Sequence, residues 1–137
     1  MFRQASLLSK AQQFEAKKAG RMNVLLTGGA GYIGSHTAVV LAAAGHRVVV
    51  YDNFSNSDRA ALGRLEQILG KPVAVTEGDM RNTELLQRTL IEQNINAVIH
   101  FAGHKAVGES VQKPLEYYDN NVAGTLQLLA AMGRAAV

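Results

Sequence analysis

The sequence predicts an α/β fold in which parallel strands form one sheet with helices on both faces. Three observations support this prediction: apolar stretches alternate with helical patterns, the apolar stretches lack polar alternation, and glycines follow the first stretch directly. Strands covered by helices on both faces are apolar throughout, and repeated strand–helix–strand units form right-handed parallel crossovers. A chain of 137 residues is long enough for one domain with a hydrophobic core.

The predicted elements follow one another regularly from Met22 onwards. The predicted strands cover residues 24–27, 47–51, 73–76 and 97–101. The predicted helices cover residues 32–44, 57–69 and 82–94, and a last helical stretch runs from Pro114 to the C-terminus. Residues typical of helix ends separate them: Gly45, Ser57, Asp58, Gly70, Pro72, Asn82 and Thr83. We expect the sheet order 3-2-1-4, with a ligand crevice at the switch point between strands 1 and 4.

Residues 1–21 differ in composition from the rest of the chain. They carry a net charge of +4, whereas the whole chain carries +3, so residues 22–137 carry −1. The pI of 9.4 therefore reflects this basic leader, and we predict no nucleic-acid partner. Since Met22 stands directly before the first strand, we interpret the leader as an upstream extension. A mitochondrial targeting peptide is the alternative.

Composition excludes several classes of function. The absence of cysteine rules out disulfides and thiol chemistry and agrees with a cytoplasmic location. The longest apolar run, residues 38–44, is far shorter than the roughly 20 residues that span a bilayer, so we expect a soluble protein without membrane contact. The four histidines form no i, i+4 pair on a predicted helix, and Glu109 is isolated, so no metal site is predicted.

The glycines after the first strand predict a dinucleotide site. They fit two overlapping patterns, Gly29-x-Gly31-x-x-Gly34 and Gly28-x-x-Gly31-x-x-Gly34. Glycine permits the sharp turn, lets a diphosphate approach the backbone, and allows the following helix to pack closely on the strand. The N–H groups at the start of that helix then point at the phosphates. We therefore predict a Rossmann-type domain, incomplete at about four strands.

Asp52 ends the second predicted strand, about 20 residues after the glycines, where this fold places an acid. Its carboxylate can accept hydrogen bonds from both hydroxyls of the adenosine ribose. It would also repel the 2′-phosphate of NADP, by about 4 kcal/mol at a dielectric near 20. No arginine follows directly, although Arg59 is near, so we predict NAD. The alternative is that Asp52 only begins a turn with Asn53.

Two further stretches end predicted strands at the same edge. Asp79 can accept from the adenine amino group while Met80 covers the ring; capping of the next helix by Asp79 is an equally good interpretation. The small residues after Phe101 would let backbone lie against the nicotinamide ribose. His100 is expected to be a hydrogen-bonded core residue, and Lys105 a solvated loop residue that could also reach phosphate or ribose.

The sequence contains no recognisable set of catalytic residues. Reductases of this architecture use a tyrosine with a lysine four residues later, because the lysine lowers the pKa of the phenol. None of the four tyrosines has such a lysine: His36, Ser55, Asn121 and Val122 stand in those positions. We therefore predict no catalytic residue within this chain.

Two motifs resemble the UDP-glucose 4-epimerase family, which belongs to the extended short-chain dehydrogenases/reductases. They are TGGAGYIGSHT at residues 27–37 and FAGHKAVGESVQKPLEYYDNNVAGT at residues 101–125, with Asp52 and Asn53 between them. The resemblance covers residues 22–137 and implies bound NAD. The implied NAD contacts are Gly28, Gly31, Tyr32, Ile33, Gly34, Asp52, Asn53, Phe54, Ser55, Asn56, Ser57, Asp79, Met80, Phe101, Ala102, Gly103, His104, Lys105 and Asn120.

The resemblance also implies an activity. Such enzymes interconvert UDP-glucose and UDP-galactose by hydride transfer at C4 through a 4-keto intermediate, and pair as homodimers through helices, one of which would begin near Pro114. The family's catalytic serine, tyrosine and lysine would lie beyond Val137, so we expect an N-terminal part that is inactive alone. His104 departs from the apolar residue expected there. The alternatives are another extended-family enzyme acting on sugar nucleotides, such as a 4,6-dehydratase, and a non-catalytic NAD-binding module.

Overall fold

The computed structural model describes residues 20–137, so the predictions for the leader fall almost entirely outside the described residues. Four strands alternate with helices between residues 23 and 100: β1 Asn23–Thr27, α1 Tyr32–Ala43, β2 Arg47–Asp52, α2 Ala60–Leu69, β3 Ala74–Glu77, α3 Thr83–Glu92 and β4 Ala97–His100. Helical segments follow to the end: α4 Val107–Gln112, α5 Pro114–Tyr118, a π-helical turn Asp119–Ala123 and α6 Gly124–Ala135.

The four strands form one parallel sheet in the order β3-β2-β1-β4, which confirms the predicted fold class and order. Thr27, the last residue of β1, pairs with Tyr51 of β2 and with His100 of β4. Asp52 pairs with Glu77 at the end of β3. The carboxyl ends of all four strands therefore meet at one edge of the sheet, where such sheets bind ligands.

Strands β1 and β2 are buried on both faces, as the apolar strands predict, whereas the edge strands β3 and β4 are partly exposed. Val24 and Leu26 pack on one face with residues of α1 and α2, whereas Leu25 packs on the other with residues of α3 and α6. The alternation follows from the two-residue period of a strand. No helix within residues 20–137 is long and apolar enough to cross a bilayer.

Three features of the helices differ from the prediction. Helix α2 begins at Ala60 rather than near Ser57, because the Ser57 hydroxyl donates to Asp52 Oδ1 at 2.9 Å. Residues 107–112 form helix α4, between the last predicted strand and Pro114, where no helix was predicted. The last helical stretch is divided, because a π-helical turn separates α5 from α6.

Candidate functional site

A cleft opens at the carboxyl ends of β1, β2 and β4, the position predicted for the ligand crevice. It encloses about 560 Å³ of empty space, part of it open to solvent. We call it the glycine-loop cleft. Its lining residues are Gly28, Gly31, Tyr51, Asp52, Asn53, Ser55, Asn56, Ser57, Gly78, Met80, Phe101, Ala102, Gly103, His104 and Asn120.

The glycine loop is packed so closely that side chains are excluded from it. Gly28 has φ of +67°, and a Cβ added there would lie 2.7 Å from the Ala102 nitrogen. A Cβ on Gly34 would lie 2.5 Å from the Gly28 carbonyl oxygen. Real Cβ atoms do not approach backbone so closely, so the loop can hold this shape against β4 and α1 only with glycine at these positions.

Helix α1 begins at the cleft without a side-chain cap. The first backbone bond of the helix runs from Ser35 N to the Gly31 oxygen at 2.9 Å, so the N–H groups of the three residues before Ser35 have no partner within the helix. Gly31 has no side chain to cap them, and the first turn contains no acid. This arrangement fits the diphosphate of a dinucleotide, which needs N–H donors and the positive end of the helix dipole.

The side chains of Tyr32 and Ile33 do not take part in the cleft. They are 81% and 56% exposed and are not among the lining residues. Gly34 also lies outside the lining, beneath the loop, where it determines how closely α1 approaches. The predicted contacts of these three residues would therefore come from main-chain N–H groups.

Asp52 is buried at the edge of the cleft and organises the loops around it. Its Oδ2 accepts from Ala30 N at 3.0 Å, and its Oδ1 accepts from Phe54 N and from the Ser57 hydroxyl, each at 2.9 Å. A carboxylate offers about four acceptor positions, so these three bonds leave room for a ribose hydroxyl, and the Ser57 hydroxyl can rotate away to free another. Asp52 also forms the turn bond to Phe54, so the predicted turn role and the ribose role are compatible.

Tyr51 and Gly78 line the cleft, although the sequence did not single them out. The Tyr51 hydroxyl donates to the Asp79 carbonyl oxygen at 2.9 Å. A Cβ on Gly78 would lie 2.4 Å from that hydroxyl, so a glycine is required beside it. Burial, together with the nearby charge of Asp79, raises the pKa of Tyr51 to about 12. The sequence feature that could have indicated Tyr51 as a lining residue is its position directly before Asp52.

We expect Tyr51→Phe to lower the free energy of unfolding by about 1 kcal/mol near neutral pH, because one buried hydrogen bond is lost. The folded-state pKa lies above the unfolded value near 10, so the native state holds the proton longer. The wild-type chain should therefore lose stability as pH rises from about 10 to 12. Urea unfolding at several pH values, compared with Tyr51→Phe, checks this: equal alkaline losses in both proteins would contradict it.

Asp79 is not among the residues that line the glycine-loop cleft. Arg81 holds its carboxylate through two bonds of 2.8 Å, and these bonds keep the pKa of Asp79 well below its usual range. The capping alternative does not describe its side chain, because Asn82 caps α3 by accepting from Leu85 N at 3.0 Å. Met80 lines the cleft, and its contact with the adenine ring stays a prediction. The adenine contact of Asp79 stays a prediction.

The wall formed after β4 depends on two asparagines. Asn120, 8% exposed, donates from Nδ2 to the Ala102 oxygen at 3.0 Å. Asn121 accepts from His104 N at 2.7 Å and donates to the His104 oxygen at 2.9 Å. Both asparagines lie in the π-helical turn, a distortion that is frequent at functional sites.

Lys105 and Phe54 are the remaining predicted residues outside the lining. Lys105 Nζ donates to the carbonyl oxygens of Phe101 and Gly103, at 3.2 and 3.1 Å. Phe54 has φ of +54° and packs beneath the Arg59 guanidinium, 4.4 Å from the ring centroid.

His100 is the hydrogen-bonded strand residue that the sequence predicts. Its Nδ1 lies 2.6 Å from the Thr27 hydroxyl, and its Nε2 lies 3.1 Å from the Thr125 hydroxyl. Burial and the charge of Lys105 lower the pKa of His100, which favours the neutral ring.

Comparison with known proteins identifies relatives of this chain. Residues 25–137 match the sequence family described as GDP-mannose 4,6 dehydratase. A UDP-glucose 4-epimerase of Klebsiella pneumoniae is 58% identical over 116 residues, covering 85% of this chain and 84% of that sequence. A UDP-glucose 4-epimerase of Haemophilus influenzae is 59% identical, but there the match covers 34% of the relative. The chain thus spans about a third of the length of several curated relatives that it matches.

Solved structures of UDP-glucose 4-epimerases are also similar to this chain. The UDP-glucose 4-epimerase of Stenotrophomonas maltophila, with bound NAD and formylated UDP-arabinopyranose, has a TM-score of 0.83 at 46% identity. The UDP-glucose 4-epimerase of Bifidobacterium longum, in complex with NAD⁺ and UDP, has a TM-score of 0.81 at 54% identity. These matches cover 85% and 84% of this chain and 34% of each solved chain.

Proposed function

The chain belongs to the UDP-glucose 4-epimerase family, and from this we propose that residues 22–137 are the part of such an enzyme that binds NAD. The supporting observation is the hydrogen bond from Ala30 N to Asp52 Oδ2, at 3.0 Å. This bond places the acid suited to ribose hydroxyls beside the helix start suited to a diphosphate. Together they match two successive groups of one dinucleotide.

Each part of the cleft would have a distinct role toward NAD. The N–H groups at the start of α1 would bind the diphosphate, and Asp52 would accept from the ribose hydroxyls. Met80 would cover the adenine, and the small residues Ala102 and Gly103 would leave space for the nicotinamide ribose. Asn120 would keep that wall in place through its bond to the Ala102 oxygen.

We propose that the enzyme interconverts UDP-glucose and UDP-galactose. The hydride of sugar C4 would pass to NAD, which leaves a 4-keto sugar. The same hydride would then return from the reduced cofactor to C4 of that sugar. The supporting fact is the name shared by relatives at 52–59% identity. The alternative, 4,6-dehydration of a nucleotide sugar, corresponds to the description of the matched family.

The 137 residues contain no tyrosine followed four residues later by lysine, so we propose that they bind NAD without turnover. The test is to incubate the purified chain with NAD and UDP-galactose and separate the nucleotide sugars by chromatography. UDP-galactose should be recovered unchanged. Formation of UDP-glucose would overturn the proposed absence of a catalytic residue, and a 4-keto-6-deoxy product would favour the dehydratase.

We further propose that the enzyme pairs as a homodimer through the face formed by α4, α5 and α6. These helices and the π-helical turn between them expose a series of apolar side chains: Val107, Val111, Leu115, Tyr118, Val122, Leu126 and Leu129. So many exposed apolar residues in adjoining helices are unusual on a monomer surface and typical of an interface.

We expect Leu115→Glu to shift the protein toward the monomer in light scattering, because a buried unpaired charge opposes association. Ile68→Glu is the matched control, since Ile68 is 67% exposed on α2, which packs on the opposite face of the sheet. A mass unchanged by Leu115→Glu, or lowered equally by Ile68→Glu, would contradict the assignment of this face.

A further inference from the structure

One guanidinium joins two segments of the cleft wall that lie far apart in the sequence. Nε and Nη2 of Arg81 donate to the two carboxylate oxygens of Asp79, each at 2.8 Å. Nη1 of Arg81 donates to Asp119 Oδ2 at 2.5 Å. Asp79 belongs to the loop after β3, whereas Asp119 begins the π-helical turn. Arg81 therefore bridges two elements that no backbone hydrogen bond connects among the residues described.

Each acid adjoins residues that line the cleft. Asp79 stands between Gly78 and Met80, which both line it, and Asp119 directly precedes Asn120. Asp79 Oδ2 also lies 3.3 Å from the Asn53 side-chain nitrogen. A displacement of either acid would therefore move a lining residue directly beside it.

We propose that Arg81 is a positioning residue for NAD. It holds the Gly78–Met80 loop and the π-helical turn that contains Asn120 at the separation that the dinucleotide requires. The inference rests on the proposed function. Arginine suits the role because its planar fork can satisfy one carboxylate with two bonds and a second carboxylate with a third. Arg81 itself does not line the cleft. A lysine carries the same charge on a single nitrogen and cannot reproduce this geometry.

The competing explanation is that Arg81 only attracts the negative diphosphate through its charge. The two explanations predict opposite signs for Asp119→Asn. Loss of a negative charge should strengthen NAD binding if charge alone matters. If the bridge matters, binding should weaken, because the bond from Arg81 to an asparagine oxygen is neutral and weaker than the bond to a carboxylate. They also differ for Arg81→Lys, which keeps the charge and removes the fork.

The test is calorimetric titration of the chain with NAD. We expect Arg81→Lys to weaken binding about fivefold and Asp119→Asn about threefold, the scale of a well-formed exposed ion pair. The double variant should be no weaker than Arg81→Lys alone, because both changes break the same bridge. Stronger binding by Asp119→Asn, or unchanged binding by Arg81→Lys, would overturn the proposal.

Arg134→Gln is the matched control for charge. Arg134 borders the same surface depression as Asp79 and Arg81 but forms no ion pair among the described residues. Its replacement removes a positive charge from this surface without touching the bridge, and we expect NAD affinity to change less than twofold, as for a solvent-screened charge. A loss as large as that of Arg81→Lys would support the charge explanation instead.

Hydrogen–deuterium exchange without NAD separates this inference from the proposed function. Arg81→Lys should increase exchange at residues 78–81 and 119–123, while Arg134→Gln should not. If the wild-type chain does not bind NAD, the proposed function fails, and exchange still decides whether Arg81 holds the two segments together. Unchanged exchange in Arg81→Lys would overturn the bridge itself.

Discussion

Gly34→Ala is expected to lower the free energy of unfolding by about 3 kcal/mol and to weaken NAD binding more than tenfold. The added Cβ would lie 2.5 Å from the Gly28 oxygen and 2.7 Å from the Gly29 Cα. Both atoms are backbone, so neither can move aside as a flexible side chain would. The loop must shift away from α1, and the N–H groups at the helix start would no longer face the bound diphosphate.

The control for this change is Gly63→Ala in α2. An added Cβ there meets no atom within 4 Å, so only the helix preference of alanine operates. We expect the free energy of unfolding to rise by about 1 kcal/mol, with unchanged NAD affinity. Urea unfolding followed by circular dichroism and calorimetry with NAD supply both measurements. A Gly34→Ala protein as stable as the wild type would show that the loop does not need this close packing.

Asp52→Asn should weaken NAD binding about 100-fold, because charged hydrogen bonds to the ribose are worth roughly 1.5–3 kcal/mol each. It should also destabilise the free protein by about 1–3 kcal/mol. One carboxylate oxygen accepts from Ala30 N and the other from Phe54 N. An amide group must therefore direct its NH₂ at one of these N–H donors, whichever way it is oriented.

The same change should narrow the preference for NAD over NADP. Removal of the Asp52 charge removes a repulsion with the 2′-phosphate of about 4 kcal/mol at a dielectric near 20. Asp58→Asn is the matched control, since Asp58 is exposed and its side chain accepts from Ala60 N, which an asparagine side chain does equally well. An Asp52→Asn protein that keeps both its NAD affinity and its discrimination against NADP would exclude the ribose role.

Sheet order and the position of the cleft could be predicted because they follow from local patterns. Apolar strands separated by helical stretches require parallel crossovers, and the glycines and Asp52 mark the strand ends that form the site. The close packing of α1 on the glycine loop could be predicted from Gly34, because a side chain at that position would have prevented it.

Other features depend on contacts between distant residues and could not be predicted from patterns. Helix α4 is six residues long, too short for a clear hydrophobic period. Helix α2 begins later than predicted because Ser57 bonds to Asp52 instead of capping the helix. Tyr51 bonds to Asp79, which is 28 positions away in the sequence, and Arg81 bonds to Asp119, which is 38 positions away. No sequence spacing indicates these bonds.

The central claim is that the start of α1 and Asp52 together receive one dinucleotide. The most direct measurement is an NMR titration of the ¹⁵N-labelled chain with NAD, which follows each backbone amide. We expect saturable shifts at Tyr32, Ile33 and Gly34, and at Ala30 beside Asp52, with much smaller shifts when NADP is added at the same concentrations. Amides at the start of α1 that do not respond to NAD, while others do, would contradict it.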